Sequence, residues 1–133
     1  MRRSRSPKRA RPGILVRYER KGGVIAAFDL SGHAGFATAG RDIVCAAVSA
    51  LVLATNEGLR LHCAQRADVA DTPEHYTVRL KGAVSREAMA VVETMLSGLK
   101  AIAASYPGNI SVRAARIAAQ GSASAERNRA IPG

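Results

Sequence analysis

"ILVRYERKGGVIAAFDL", residues 14–30, holds two runs in which apolar and polar residues alternate. That period of two belongs to a strand with one face in the core and the other in water. In the first run Ile14, Val16 and Tyr18 share a face, with Arg17 and Glu19 on the other; in the second the pattern repeats through Val24, Ala26, Phe28 and Leu30. Between them "KGG" supplies two glycines able to hold the positive φ angles of a tight hairpin turn. The chain therefore opens as a β-hairpin that delivers Gly32 and His33 at its end.

Downstream, "AGFATAGR" at 34–41 is small, aperiodic and glycine-bearing, which predicts a mobile loop. From Asp42 to about Arg60 the expectation is a helix, with Asp42 placed to act as its N-cap. No charged residue falls between Ile43 and Asn56, and Ile43, Val44, Val48, Leu51, Val52 and Leu53 go right round the cylinder. A helix apolar on all sides needs cover on more than one, so the sheet takes one side and a partner subunit is expected on another.

Gln65 to Ala70 is a weak strand, "DTP" a turn, and "EHYTVRLK" a stronger strand with Tyr76, Val78 and Leu80 alternating against His75, Thr77, Arg79 and Lys81. Ser85 caps a second helix running to about Ser105, whose stripe of Ala88, Val92, Met95, Leu96, Leu99 and Ile102 opposes Arg86, Glu93, Ser97 and Lys100. "YPGN" stops it and "ISV" gives a short last strand. The order β-β-α-β-β-α-β implies an α+β two-layer sandwich, a mostly antiparallel sheet with both helices on one face. Residues 1–12 read as a basic disordered arm, 13–119 as one domain and 120–133 as a polar, frayed tail.

The net charge of +10 concentrates in the arm. Arg2, Arg3, Arg5, Lys8, Arg9 and Arg11 are six of the twenty basic residues, leaving 14 basic against 10 acidic residues in the rest. Such an arm offers weak, salt-sensitive attraction to RNA or a ribosome. It lacks the apolar segment of a secretory signal, and no apolar run approaches a membrane span free of polar interruptions, so a cytoplasmic protein with no membrane partner is expected. Cys45 and Cys63 lie on the order of 25 Å apart along the predicted helix, against the ~4.4–6.8 Å that a disulfide requires. Both are expected as free thiols. The three histidines and two cysteines show no familiar metal-ligand spacing, and no glycine-rich phosphate loop appears, so neither metal nor cofactor is expected.

Two residues can carry chemistry. Cys45 falls three residues after the expected N-cap, where unpaired amides and the helix dipole favour a thiolate. His33, twelve residues upstream, ends a strand that can lie beside that helix terminus, and within hydrogen-bond reach it would complete a cysteine–histidine dyad for acyl transfer. Ser49 shares a helical face with Cys45; it either bonds near the thiol or imidazole or bonds back to a helix carbonyl. Asp42 is read as a cap, as an orienter of His33, or as both, and amides at the helix start can form an oxyanion hole. Against the dyad stand two bland readings, a buried cysteine acting as a small hydrophobe and a histidine that merely ends a strand. A non-catalytic ribosome- or RNA-associated binding protein is the alternative from another class, although few aromatic residues remain for base stacking. A thiol redox sensor would need a resolving cysteine, and Cys63 is at the wrong end of the helix.

At these residues the sequence resembles the bacterial ribosomal-processing cysteine protease family. The resemblance rests on "GHA" at 32–34, Gly40, and "DIVCAAVSAL" at 42–51, with weaker similarity at "TNEGL", "SGLKAIAASYP" and the last strand, over roughly residues 14–113. It implies that Cys45 is the nucleophile and His33 its base, with Asp42 and Ser49 in supporting positions. It further implies a loop between histidine and cysteine, here bearing Gly35, Phe36 and Gly40, that gates the substrate. The implied assembly is a homodimer, and the implied substrate is the N-terminal extension of a large-subunit ribosomal protein. The basic arm lies outside the similarity.

Overall fold

The computed structural model describes residues 13–32 and 39–118. Its elements are β1 (Ile14–Lys21), β2 (Val24–Ser31), α1 (Ala39–His62), β3 (Arg66–Asp71), β4 (His75–Lys81), α2 (Arg86–Ser105) and β5 (Ile110–Ala114). The five strands form one sheet in the order β3-β4-β2-β1-β5. Every pairing is antiparallel except β1 with β5, which are parallel. This is the α+β sandwich expected from the sequence.

The hairpin turn forms as the glycines require: Gly22 and Gly23 hold φ angles of 62° and 83°. Ile14 and Val16 are buried and Tyr18 packs against the core. In β2 the predicted alternation fails. Its pairing with β1 shifts register at Glu19/Arg20, so that Glu19 faces Ala27 while Arg20 faces Ile25 and Ala26 is the extra residue. Such a bulge turns every side chain on one side of it to the other face. Ile25 therefore enters the core in place of Val24 and Ala26, which stay half-buried.

Helix α2 follows its sequence closely. The Ser85 side chain accepts the Ala88 amide at 3.0 Å, and Ala88, Val92, Met95, Leu96 and Leu99 are buried against the sheet. A bidentate pair from Arg20 to Glu93, at 2.6 and 3.2 Å, fastens β1 to α2. Helix α1 buries Val44, Val48, Val52 and Leu59 but leaves Ile43, Leu53 and Leu61 57%, 56% and 58% exposed. The two helices approach closely where Gly98 faces Leu51 and Gly58 faces Val91. Both helices are long and apolar enough to cross a bilayer by length and composition. Their rows of buried residues against the sheet are what a core helix of a two-layer sandwich also produces.

Helix α1 begins at Ala39, three residues before the expected start, so Asp42 is its fourth residue and not its N-cap. The apolar periodicity that marks the helix begins only at Ile43, which is why the aspartate looked like the boundary. Alanine and arginine extend a helix at little cost, and Gly40 costs only about 1 kcal/mol there. The predicted loop 34–41 is correspondingly shortened: Gly40 lies within α1.

Candidate active site

Topology brings one end of the sheet together as a site. The start of β1, the end of β2 and the starts of β4 and β5 all lie there, since Leu15 pairs with Ser31, Ser31 with His75, and Ile14 with Ile110. Helix α1 joins β3 through three residues at the opposite end, so its first turns lie at this same end. With 24 residues it spans roughly 36 Å, enough to cross the sheet.

Gly32 sets how the chain leaves the sheet. Its φ is +73°, and a Cβ added to it would stand 2.5 Å from the Gly13 carbonyl oxygen. Any other residue meets both the backbone strain and the clash. His33, the next residue, lies outside the described residues, as do Gly35 and Phe36.

Cys45 is a half-buried free thiol, the seventh residue of α1. It therefore sits in the second turn and not the first. The field of a helix terminus falls off within one turn, so the sequence argument that the helix end activates this thiol loses its premise. Its neighbours Val44 and Val48 are buried, which anchors this part of α1 in the core. Ser49, one turn on, is exposed. Residues four apart share a helix face, so Cys45 and Ser49 lie on one side of α1, while the Asp42 side chain lies outside the described residues. Cys63 follows the other end of the helix and packs against the core, far from Cys45.

Sequence reasoning missed a polar cluster beside this end. The Asp29 carboxylate, with 1% of its side chain exposed, accepts a hydrogen bond from Thr77 Oγ1 at 2.7 Å and from Arg17 Nη2 at 3.0 Å. His75 Nδ1 stands 3.2 Å from both of its oxygens. Burial alone would raise the Asp29 pKa, yet the bonds from Thr77, Arg17 and His75 outweigh it and hold the carboxyl below its usual range. The available signal was an aspartate in the otherwise apolar "VIAAFDL", because a charge taken into a core strand must find partners. His75 pairs with Ser31, two residues before His33.

A family model described as "Cysteine protease Prp" matches residues 14–111. Among solved structures, the essential ribosomal processing protease Prp of Staphylococcus aureus, with a covalently linked product peptide, is similar at 27% identity and a TM-score of 0.70, over 77% of this chain and 99% of that one. The same enzyme with a substrate peptide aligns at 26% identity, a TM-score of 0.71 and the same coverage. A Streptococcus mutans protein shares the fold at 18% identity and a TM-score of 0.71, over 77% of this chain and 96% of that one. No curated protein matches the chain.

Proposed function

Because the chain belongs to the cysteine protease Prp family, we propose that it is an endopeptidase that removes the N-terminal extension of a large-subunit ribosomal protein, with Cys45 as nucleophile and His33 as general base and acid. The observation that carries this reading is the strand-to-helix segment from Gly32 to Cys45, which lies inside the family match. The Staphylococcus aureus relative is a ribosomal processing protease whose structures hold a substrate peptide and a covalently linked product peptide.

In the first step the Cys45 thiolate attacks the scissile carbonyl carbon, and the His33 imidazolium gives its proton to the departing amine as the C–N bond breaks. The product left on the enzyme is a thioester on Cys45. In the second step His33 takes a proton from water, the hydroxide adds to the thioester carbonyl, and the thiolate leaves with the new carboxylic acid released. Asp42 and Ser49 take the supporting roles of orienting the imidazole or the peptide. The segment of residues 34–38, with Gly35 and Phe36, is assigned to gating the substrate.

A homodimer is part of this reading. Its support is the exposed side of α1, where Ile43, Ala46, Ala50, Leu53 and Leu61 recur at helical spacing with no cover from the sheet. The two free thiols accord with work in the cytoplasm. The test of the function is cleavage of a peptide spanning the extension junction of the host ribosomal protein. Wild type is expected to cut it, and Cys45→Ala to lose the activity by on the order of 10³-fold or more.

A further inference from the structure

Both helices lie on one side of the sheet, and among the described residues no helix covers the other. The segment 115–118 lies on part of it, with Ile117 buried and bonded to Glu19 and Arg79, and register settles what the rest of that side carries. Arg17 of β1 stands directly opposite Arg113 of β5, and Arg66 of β3 directly opposite Lys81 of β4. All four point away from the helices, because their strand neighbours Val16, Val112, Ala67 and Leu80 belong to the core or pack against it. Like charges directly opposed across a ladder destabilise a sheet. One member of each pair is held by a carboxylate, Arg17 by Asp29 and Lys81 by Asp68, so it is Arg113 and Arg66 that folding leaves without a reason.

The acidic residues of this face offset two of the four, Arg17 and Lys81. Asp29 is sunk beneath Arg17, Thr77 and His75. Glu19, with 12% of its side chain exposed, accepts the Ile117 amide at 3.2 Å and pairs with Arg79 at 3.6 Å. Asp68 is held by Lys81 at 3.2 Å. Asp29 and Glu19 thus lie low in pairs and Asp68, 36% exposed, is offset by Lys81, while Arg66 and Arg113 stand in solvent with no carboxylate partner among the described residues. Among the described residues the unpaired charges that this face offers to water are the cations Arg66 and Arg113, one on each edge strand of a sheet roughly 19 Å across.

We propose that this helix-free face docks on the phosphate backbone of structured RNA, with Arg66, Lys81 and Arg113 as its principal contacts. The guanidinium fork suits phosphate oxygens, and several cations on a flat face suit a regular row of phosphates more than the scattered carboxylates of an acidic protein. Tyr18 and Phe28 are turned to the helix side or the core. The one ring that the described strands turn to the helix-free side is the His75 imidazole, which is engaged by Asp29, so recognition is by backbone and shape and not by base stacking. The surface does not involve Cys45, so it stands or falls separately from the peptidase reading.

The experiment is fluorescence anisotropy of a labelled RNA duplex of arbitrary sequence titrated with the full chain over a salt series. Wild type should bind with a log Kd that rises linearly with log salt. The double variant Arg66→Ala/Arg113→Ala, checked for folding by circular dichroism, should weaken binding about tenfold and lower the salt slope by about two. The control Arg86→Ala/Lys100→Ala on α2 should bind as wild type. Wild-type binding by the first double variant overturns the proposal, as does loss of all binding on deleting residues 1–12 while that double variant is unaffected. Equal affinity for polyglutamate or for phosphatidylglycerol vesicles overturns the assignment to RNA.

Discussion

Asp29 shows what a single side chain can demand of the residues around it. A carboxylate that is nearly sealed from water destabilises the fold unless it is bonded, and here Thr77, Arg17 and His75 supply the bonds from two neighbouring strands. Its pKa is lowered in the folded state, so its contribution to stability is fully present above the unfolded value of about 3.9 and is lost as pH falls through the lower folded value. Asp29→Asn should lower the unfolding free energy at neutral pH by about 2 kcal/mol and flatten the acid limb of stability against pH, as read by urea denaturation across pH. The aspartate was visible in the sequence but its burial was not, because its partners lie 12, 46 and 48 residues away and meet it only through strand order. Cys45 is the opposite case: its identity and surrounding motif were legible, while its place in the helix moved by one turn once α1 was seen to start at Ala39.

Among the elements, those that bury one regular stripe were readable. α2 and its Ser85 cap, β1, and β4 show their period directly, because each has a single core face. β2 was misread in part, since the bulge at Ala26 is a property of its pairing with β1 and not of its own composition. The apolar circumference of α1 was legible, but its beginning carries no apolar stripe to mark it. At the exit of β2, Gly32 joins sequence to site: the positive φ and the nearby Gly13 carbonyl leave room for no other residue. Gly32→Ala should cost about 2 kcal/mol of stability, seen as a lowered Tm. Peptide cleavage should fall as well, because the turn directs the chain into His33. Unchanged Tm and cleavage would remove Gly32 from the account of the site.

At the scale of the molecule, the two sides of the sandwich differ in what they leave unsatisfied. The helix side exposes Ile43, Leu53 and Leu61 in an apolar row along α1, and the sheet side presents opposed cations. The expectation of a partner subunit came from the absence of charge between Ile43 and Asn56, and the uncovered row is the surface such a subunit would take. Leu53→Asp should then convert a dimer to a monomer in sedimentation equilibrium, with the fold retained; a wild-type chain that is already monomeric at micromolar concentration contradicts the homodimer. The two layers and the element order were readable from the sequence, because periodicity and turn residues mark them, but the strand order and the parallel pairing of β1 with β5 were not. The segregation of charge between the two sides was not, since it depends on which strands become neighbours.

The central claim is that Cys45 is the nucleophile of a peptide bond cleavage, and mass spectrometry of the junction peptide after incubation with wild type and with Cys45→Ala tests it most directly. Wild type should give two fragments and an acid-quenched acyl adduct that maps to Cys45, and the variant neither fragments nor adduct. Cleavage by Cys45→Ala at the wild-type rate would contradict it.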